Sequence, residues 1–323
     1  MRAVVRERFG GPEALSLREL ETPEPAADEV LVRVRAASVN RADLYALTGR
    51  PYIARPVEGL RAPKSERIGV DYAGVVEGVG TDVTTFRPGD EVFGGRDGAF
   101  AEYVCVREER AIVHKPGNVT FEQAAAVGIA GLTALQGLRD KGRVESGQRV
   151  LVNGASGGVG TFAVQVARAL GGNVTGVCSL RNVELVRSLG ADDVVDYAAE
   201  DFTRSGRRYD VIFDVAGNRP WSHLRRVLEP NGTIVLVGGP MTNAWLGPLA
   251  HVAAVKLATL RGSRKSVFFV AKFNKADLEL LRGLLETGKL TPVVDREFSL
   301  GEIAHAFRYM AEGHPRAKVV VTP

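Results

Sequence analysis

Cysteine is nearly absent: Cys105 and Cys178 are the only two in 323 residues, far apart and without a C-x-x-C pair. That excludes a disulfide framework and a multi-cysteine zinc lobe, and it reads each cysteine as a small buried residue of a strand. Long apolar runs are missing too, and none approaches the roughly 18 to 20 residues that a membrane-spanning helix needs. The opening MRAVVRERFG reads as a short strand flanked by charges, without an apolar core and a small-residue cleavage site. A cytoplasmic protein with no membrane partner is expected. Charge of one sign is scarce as well: 42 basic residues are interleaved with 38 acidic ones, for a net charge of +4 and a pI near 9.1. The densest basic run, RGSRK at 261–265, reads as a solvated face, and no nucleic-acid partner is expected. The five histidines, His114, His223, His251, His305 and His314, form no catalytic cluster and read as surface or packing residues.

What is present is an ordinary globular composition, 45% hydrophobic and 25% charged, over a length that suits two domains. Its most informative stretch is RVLVNGASGGVG at 149–160. Val150, Leu151 and Val152 read as a buried strand, while Phe162, Ala163, Val166, Ala167 and Leu170 recur at helical spacing. Between them stands Gly154, Ala155, Ser156, Gly157, Gly158, Val159 and Gly160. Glycines at this turn let the backbone approach a pyrophosphate, and the helix start offers free N–H groups and a positive dipole end. Strand patterns at 174–177, 193–195, 210–218 and 233–239 alternate with helical patterns at 182–189 and around 224–228, which predicts a parallel, doubly wound sheet.

A different texture precedes this unit. VLVRVRAASVN (30–40), YAGVVEGVG (72–80) and GDEVFGG (89–95) read as strands separated by glycine and proline turns. Strand character returns in AKVVVTP (317–323), after a helical pattern around 302–310. The chain is therefore expected to leave a β domain (1–122), build the dinucleotide domain (123–289), and return to finish the first (290–323).

These fragments, with DEVLVRVRAASVNRAD (28–43), GVDYAGVVEGVG (69–80), FRPGDEVFG (86–94), GAFAEYV (98–104), FEQAAAVGIAGLTAL (121–135) and LGAD (189–192), resemble the zinc-free quinone oxidoreductase branch of the medium-chain dehydrogenase/reductase superfamily. The resemblance implies an α/β chain with a GroES-like β domain plus a Rossmann domain, and an active site in the cleft between them. It also implies a homodimer paired through a strand such as SVFFV (266–270). Where zinc-dependent relatives carry ligands, this chain has Asn40, Val70 and, near the third position, Ile129 and Ala130. An amide and aliphatic side chains cannot make a thiolate and imidazole shell, so no metal is expected.

Without a Lewis acid a simple ketone is a poor hydride acceptor, whereas a quinone or enone spreads the incoming charge and needs only hydrogen-bond donors. By resemblance, the segment that serves such a small-molecule substrate holds Asn40, Asp43, Tyr45 and Tyr52. Asn40 offers an amide donor and a Tyr hydroxyl a donor or proton relay, while Asp43 orients its neighbours. Equally, Asn40 could close a turn and Asp43 cap the next helix. Arg41 stands where the family usually has proline.

For the cofactor, an acid is expected at the end of the second strand of an NAD enzyme, but VCSLRN at 177–182 has none. Ser179 and Arg181 suit the 2′-phosphate of NADPH, although an N-cap and a solvated charge are alternatives. The resemblance adds Tyr197 at this phosphate, and Thr133, Val215, Gly238, Gly239 and Phe269 around the nicotinamide and its ribose; Thr133 and Phe269 could equally be core. Met241, Trp245 and Leu249 shape either a substrate pocket or an interface. The expected function is an NADPH-dependent reductase of quinones or other conjugated carbonyls. The alternatives are an alkenal or enoyl reductase acting on C=C, or an NADPH-binding redox sensor without turnover.

Overall fold

The computed structural model describes the chain except residues 240–242, 261 and 314 and the side chain of residue 57. It divides into two compact units, Met1–Leu132 with Lys272–Pro323, and Thr133–Ala271.

The first unit opens with strands β1 (Arg2–Arg6), β2 (Leu15–Glu19) and β3 (Glu29–Val39), helices α1 (Arg41–Thr48) and α2 (Arg55–Glu58), and strands β4 (Asp71–Val79), β5 (Glu91–Gly95), β6 (Tyr103–Arg107) and β7 (Ile112–His114). Alternation makes β3: Val30, Val32 and Val34 face the core while Arg33 and Arg35 face water. From Ala36 onward both faces are buried. Helices α3 (Phe121–Ala125) and α4 (Gly128–Gln136) follow.

The second unit alternates strand and helix except between β10 and β11, which only a short 3-10 turn separates: β8 (Arg149–Asn153), α5 (Gly158–Ala169), β9 (Asn173–Cys178), α6 (Val183–Ser188), β10 (Asp193–Asp196), β11 (Tyr209–Asp214), α7 (Trp221–Val227), β12 (Leu228–Leu236), α8 (Leu249–Thr259) and β13 (Lys265–Phe268). The strands are parallel in the order β10-β9-β8-β11-β12-β13. Val150–Val152 and Val211–Phe213 are apolar runs buried on both faces, as inner strands of a parallel sheet must be. The last predicted strand begins earlier than its apolar pattern, at Leu228 rather than 233, with a register shift between Tyr209 and Val211 on its partner.

The chain then returns through α9 (Lys275–Glu286), β14 (Val294–Ser299), α10 (Ile303–Ala311) and β15 (Lys318–Thr322). Helix α10 buries Ile303, Ala306, Phe307 and Met310, the i, i+3, i+4, i+7 stripe of a helix laid on a core. Strand β15 sits inside the first unit's sheet, ordered β14-β15-β3-β4-β5-β7, with β6 also on β3. The compact units divide at 132/133 and 271/272, rather than at 122/123 and 289/290 as the sequence pattern implied. The cause is α9, which docks on the first unit: Asn118 Nδ2 donates to Leu285 O at 2.9 Å and Lys275 Nζ to Glu108 O at 3.1 Å.

Candidate active site

In the second unit, β8 leads outward to β9 and β10 on one side, and β11 leads to β12 and β13 on the other. The strand order reverses between β8 and β11, and ligands of open parallel sheets bind outside the strand ends at such a switch point. The turn after β8 shows why its glycines differ. Gly154 sits at φ +89°, which favours glycine, and a Cβ on Gly160 would lie 2.0 Å from Gly154 O. Gly157 is required by neither constraint. Its φ is −82° and a Cβ there would meet nothing nearer than Gly154 O at 3.5 Å. Bare backbone at this position leaves room for a group from outside the chain. The first turn of α5, which Gly158, Val159 and Gly160 begin, carries N–H groups without intrahelical partners and no acid.

Beside this turn lies a residue that the sequence pattern did not single out. Asn182, 4% exposed, donates through Nδ2 to Ser156 Oγ at 3.0 Å and Ser179 Oγ at 3.2 Å. A hydroxyl that accepts keeps its own proton to give, so both serines remain available as donors. The Asn182 Oδ1 is buried without a partner. Asp196, facing Cys178 across the sheet, brings Tyr197 to the same strand ends, and Tyr197 N donates to Cys178 O at 3.1 Å. Arg181 follows Ser179 in an exposed turn. These residues therefore share one neighbourhood, and together with the Gly157 gap they fit a dinucleotide phosphate.

At the switch point itself, Asn153 ends β8 and donates to Asp214 Oδ1 at 2.8 Å, which also accepts from Gly217 N at 2.9 Å. Val215 follows Asp214, and the backbone packs closely here: a Cβ on Gly238 would stand 2.7 Å from Val215 O, and one on Gly217 2.5 Å from Gly239 Cα. Asp214 also has a histidine beside it. His251, mostly buried, packs with its Nε2 3.8 Å from the fully buried Asp214 Oδ2. Thr133 is 8% exposed on α4, and a Cβ on Gly137 would meet the Phe269 ring at 3.0 Å, so both contribute to packing. Trp245 is 71% exposed, while Met241 and His314 lie outside the described residues.

The first unit holds a buried polar cluster around Asp71, which is fully buried. Asp71 Oδ2 accepts from Ser38 Oγ at 3.0 Å and Asn40 Nδ2 at 2.9 Å, and Oδ1 accepts from Ile129 N at 2.9 Å. Lys318 Nζ donates to Asn40 Oδ1 at 2.6 Å and stands 3.5 Å from Asp71 Oδ2. The second Asn40 amide proton goes to Ser38 O at 3.3 Å. Asn40 is thus corrected as a donor to substrate: both its protons and its oxygen are spent inside the protein. Asp43 does what a helix cap does, its Oδ2 accepting Asn40 N–H at 2.7 Å. Burial pushes its carboxyl up to about 7, against that N–H, with nearby Asp71 adding to the rise. Burial lowers the Lys318 ammonium, opposed by Asp71 and Asp43.

Tyr45 lies on α1, half-buried, and burial raises its hydroxyl while Arg41 counters. Tyr52 follows α1, with the Arg55 guanidinium 4.7 Å and that of Arg50 5.8 Å from its ring centre. Asn40, Asp43 and Tyr45 are therefore held by one helix start, and Tyr52 by a separate arginine pair.

Residues 26–117 match the family model described as an alcohol dehydrogenase GroES-like domain, and residues 189–321 that of a zinc-binding dehydrogenase. A chloroplastic quinone oxidoreductase of Triphysaria versicolor is 33% identical over 341 residues, covering 100% of this chain and 98% of that protein. This chain belongs to the quinone oxidoreductase branch of the medium-chain dehydrogenase/reductase superfamily. A mitochondrial NAD(P)H oxidoreductase of Bos taurus is 34% identical, covering 91% of this chain and 81% of its own. The solved quinone oxidoreductase from Coxiella burnetii superposes with a TM-score of 0.86 at 31% identity, over 100% of this chain and 99% of that one. As a member of this branch the chain is an oxidoreductase of a small molecule, served by a nicotinamide cofactor. No helix among the described residues is long and apolar enough to cross a membrane.

Zinc, for which the second model is named, does not fit the residues here. Asn40 Oδ1 is occupied by Lys318, and Val70, Ile129 and Ala130 offer no side-chain donor. Among the described residues no three His, Cys, Asp or Glu gather into a metal-holding group.

Proposed function

We propose that this quinone oxidoreductase relative is an NADPH-dependent reductase that delivers hydride to quinones or other conjugated carbonyls without zinc. The observation that carries the cofactor choice is the Asn182 network: the Ser156 and Ser179 oxygens accept from Asn182 Nδ2 and so keep their own protons to donate, next to the strand ends that carry Arg181 and Tyr197. A 2′-phosphate takes such donors, and the Arg181 guanidinium, in charge-assisted bonds roughly twice as strong as those a neutral 2′-hydroxyl accepts. No acid ends β9, and Asp196 on β10 folds back to accept from Ala198 N at 3.0 Å. NADPH supplies the hydride; Gly154 to Gly160, Ser179, Arg181 and Tyr197 hold its phosphates, and Thr133, Val215, Gly238, Gly239 and Phe269 its nicotinamide end.

With no metal donor set, a developing oxyanion must be met by hydrogen bonds alone. Tyr45 is the donor of the first unit's segment, with Tyr52 beside the arginines as the second hydroxyl. Asn40 and Asp43 fix the helix that carries Tyr45. The conjugated acceptor follows from that weakness, because delocalisation lowers the charge any one donor must stabilise.

Following NADPH and NADH oxidation at 340 nm against quinones, enones, alkenals and simple ketones tests this reading. Conjugated acceptors alone are expected to turn over, with NADPH preferred, and which of them turns over fastest decides between C=O and C=C reduction. Arg181→Glu should raise the KM for NADPH at least tenfold and leave that for NADH within about threefold, since a charged hydrogen bond is worth about 1.5 to 3 kcal/mol. Equal effects on the two cofactors would refute the NADPH assignment, and NADPH binding without turnover across the panel would refute the enzyme.

A further inference from the structure

The three positions where the resemblance placed metal ligands converge on one side chain, Asp71. Asn40 donates to its Oδ2, Ile129 N–H donates to its Oδ1, and Val70 precedes it in the chain. The cation at this junction is Lys318, 2% exposed, on a strand 278 residues further along. Resting on the metal-free reading above, we infer that Lys318 is a positioning residue, whose buried ammonium fixes the Asn40 carboxamide in one orientation and so sets the start of the helix that carries Tyr45.

The argument is one of donors and acceptors. An ammonium can only donate, so it demands the Asn40 oxygen, while an ionised carboxylate can only accept, so it demands the Asn40 nitrogen. Lys318 at 2.6 Å and Asp71 at 2.9 Å hold opposite ends of the same amide. Flipping it would set donor against donor and acceptor against acceptor. The junction is rigid on its other side too, because a Cβ on Gly128 would lie 2.1 Å from Asp71 Oδ1, so the start of α4 rests directly on the carboxylate. Asn40 is the residue from which α1 departs, and its own N–H is taken by Asp43. The lysine thus acts on Tyr45 through Asn40 without touching a reacting atom.

Lys318→Met removes the ammonium but strands Asp71 in a closed interior, so the decisive variant is Lys318→Met with Asp71→Asn. An amide at 71 still accepts from Ile129 N–H, and Asn40, freed to flip, offers it an oxygen. Three readouts are compared with wild type in the full chain: melting temperature, backbone hydrogen exchange of peptides spanning 41–52, and kcat and KM with NADPH and a quinone. The double variant is expected to melt within a few degrees of wild type, to exchange at least threefold faster over 41–52 alone, and to lose at least tenfold in kcat while the NADPH KM stays within threefold. Recovery of wild-type protection and kcat along with melting temperature would make the two residues a buried charge pair and nothing more. A double variant that does not fold would make them necessary to the whole unit, and that also overturns the inference. If wild type turns over no conjugated acceptor, the reductase reading falls, and the exchange of 41–52 still decides the role of Lys318.

Discussion

Asp43 should cost the native state stability as pH rises, which is the reverse of the usual acidic residue. It is 2% exposed, and burial, reinforced by Asp71, carries its carboxyl to about 7 in spite of the Asn40 N–H and Lys318. Unfolded, the same group titrates near 4. Between those values the native state holds a proton that the unfolded state has released, so its contribution is complete below about pH 4 and is lost as pH rises through about 7. About three pKa units at about 1.4 kcal/mol each set an upper bound of about 4 kcal/mol. Asp43→Asn keeps an acceptor for the Asn40 N–H and cannot ionise, giving up about 1 kcal/mol of hydrogen-bond strength. The variant should therefore be about 1 kcal/mol less stable than wild type below pH 4, level with it near pH 5, and more stable by about 3 kcal/mol at pH 9. Urea unfolding at pH 3.5, 5, 7 and 9 measures the crossing. A variant equally or further destabilised at pH 9 would mean that Asp43 is ionised and paired with Lys318 throughout, and would refute the reasoning.

Two glycines of the turn after β8 should separate by what their missing side chains serve. Gly160→Ala must push a Cβ toward Gly154 O, 2.0 Å away, and should lower the melting temperature, whereas Gly157→Ala has room within the protein and should leave it unchanged. Gly157→Ala should instead weaken NADPH binding at least tenfold by fluorescence titration; unchanged affinity would remove the phosphate from this turn. The six-stranded sheet ends in β10 on one side and β13 on the other, and near β13, in the same unit, Leu257, Leu260 and Val270 are 69%, 75% and 76% exposed. An unpaired edge with apolar neighbours favours pairing with a second copy. Sedimentation should find a dimer at micromolar concentration and a monomer for Val270→Asp; a monomeric wild type would refute this.

How much of this was legible depends on how far apart the interacting residues stand. The turn after β8 could be read directly, because strand, glycines and helix are contiguous and each constraint is local: φ at Gly154, contact at Gly160, space at Gly157. The doubly wound sheet was legible for the same reason, since each β-to-α step is a short pattern. Asn182 was not, because its function is to join Ser156 to Ser179 across 26 residues, and an Asn opening a helix looks like a cap. The sequence left Asn40 open between an amide donor and a turn residue, because it shows the side chain's chemistry but not its partners. The attachment of α9 to the first unit was not legible either, because it rests on contacts with Asn118 and Glu108, which no periodicity records.

Lys318 was the hardest to see, yet a signal existed. A lysine in AKVVVTP reads as a gatekeeper on an exposed edge strand, since unpaired edges are commonly blunted by lysine. Strand β15 is instead an inner strand between β14 and β3, where a charge has no water and must find an opposite one. The apolar run of β4 likewise begins with a single acid, Asp71. A base and an acid, each opening a strand whose next residues are buried and apolar, imply each other: if both strands are internal, neither charge is tolerable without its partner. The pairing can be argued from sequence once β15 is placed inside the sheet rather than at its edge. That placement needs the chain's return to the first unit, which is why the last strand had to be located before its lysine could be understood.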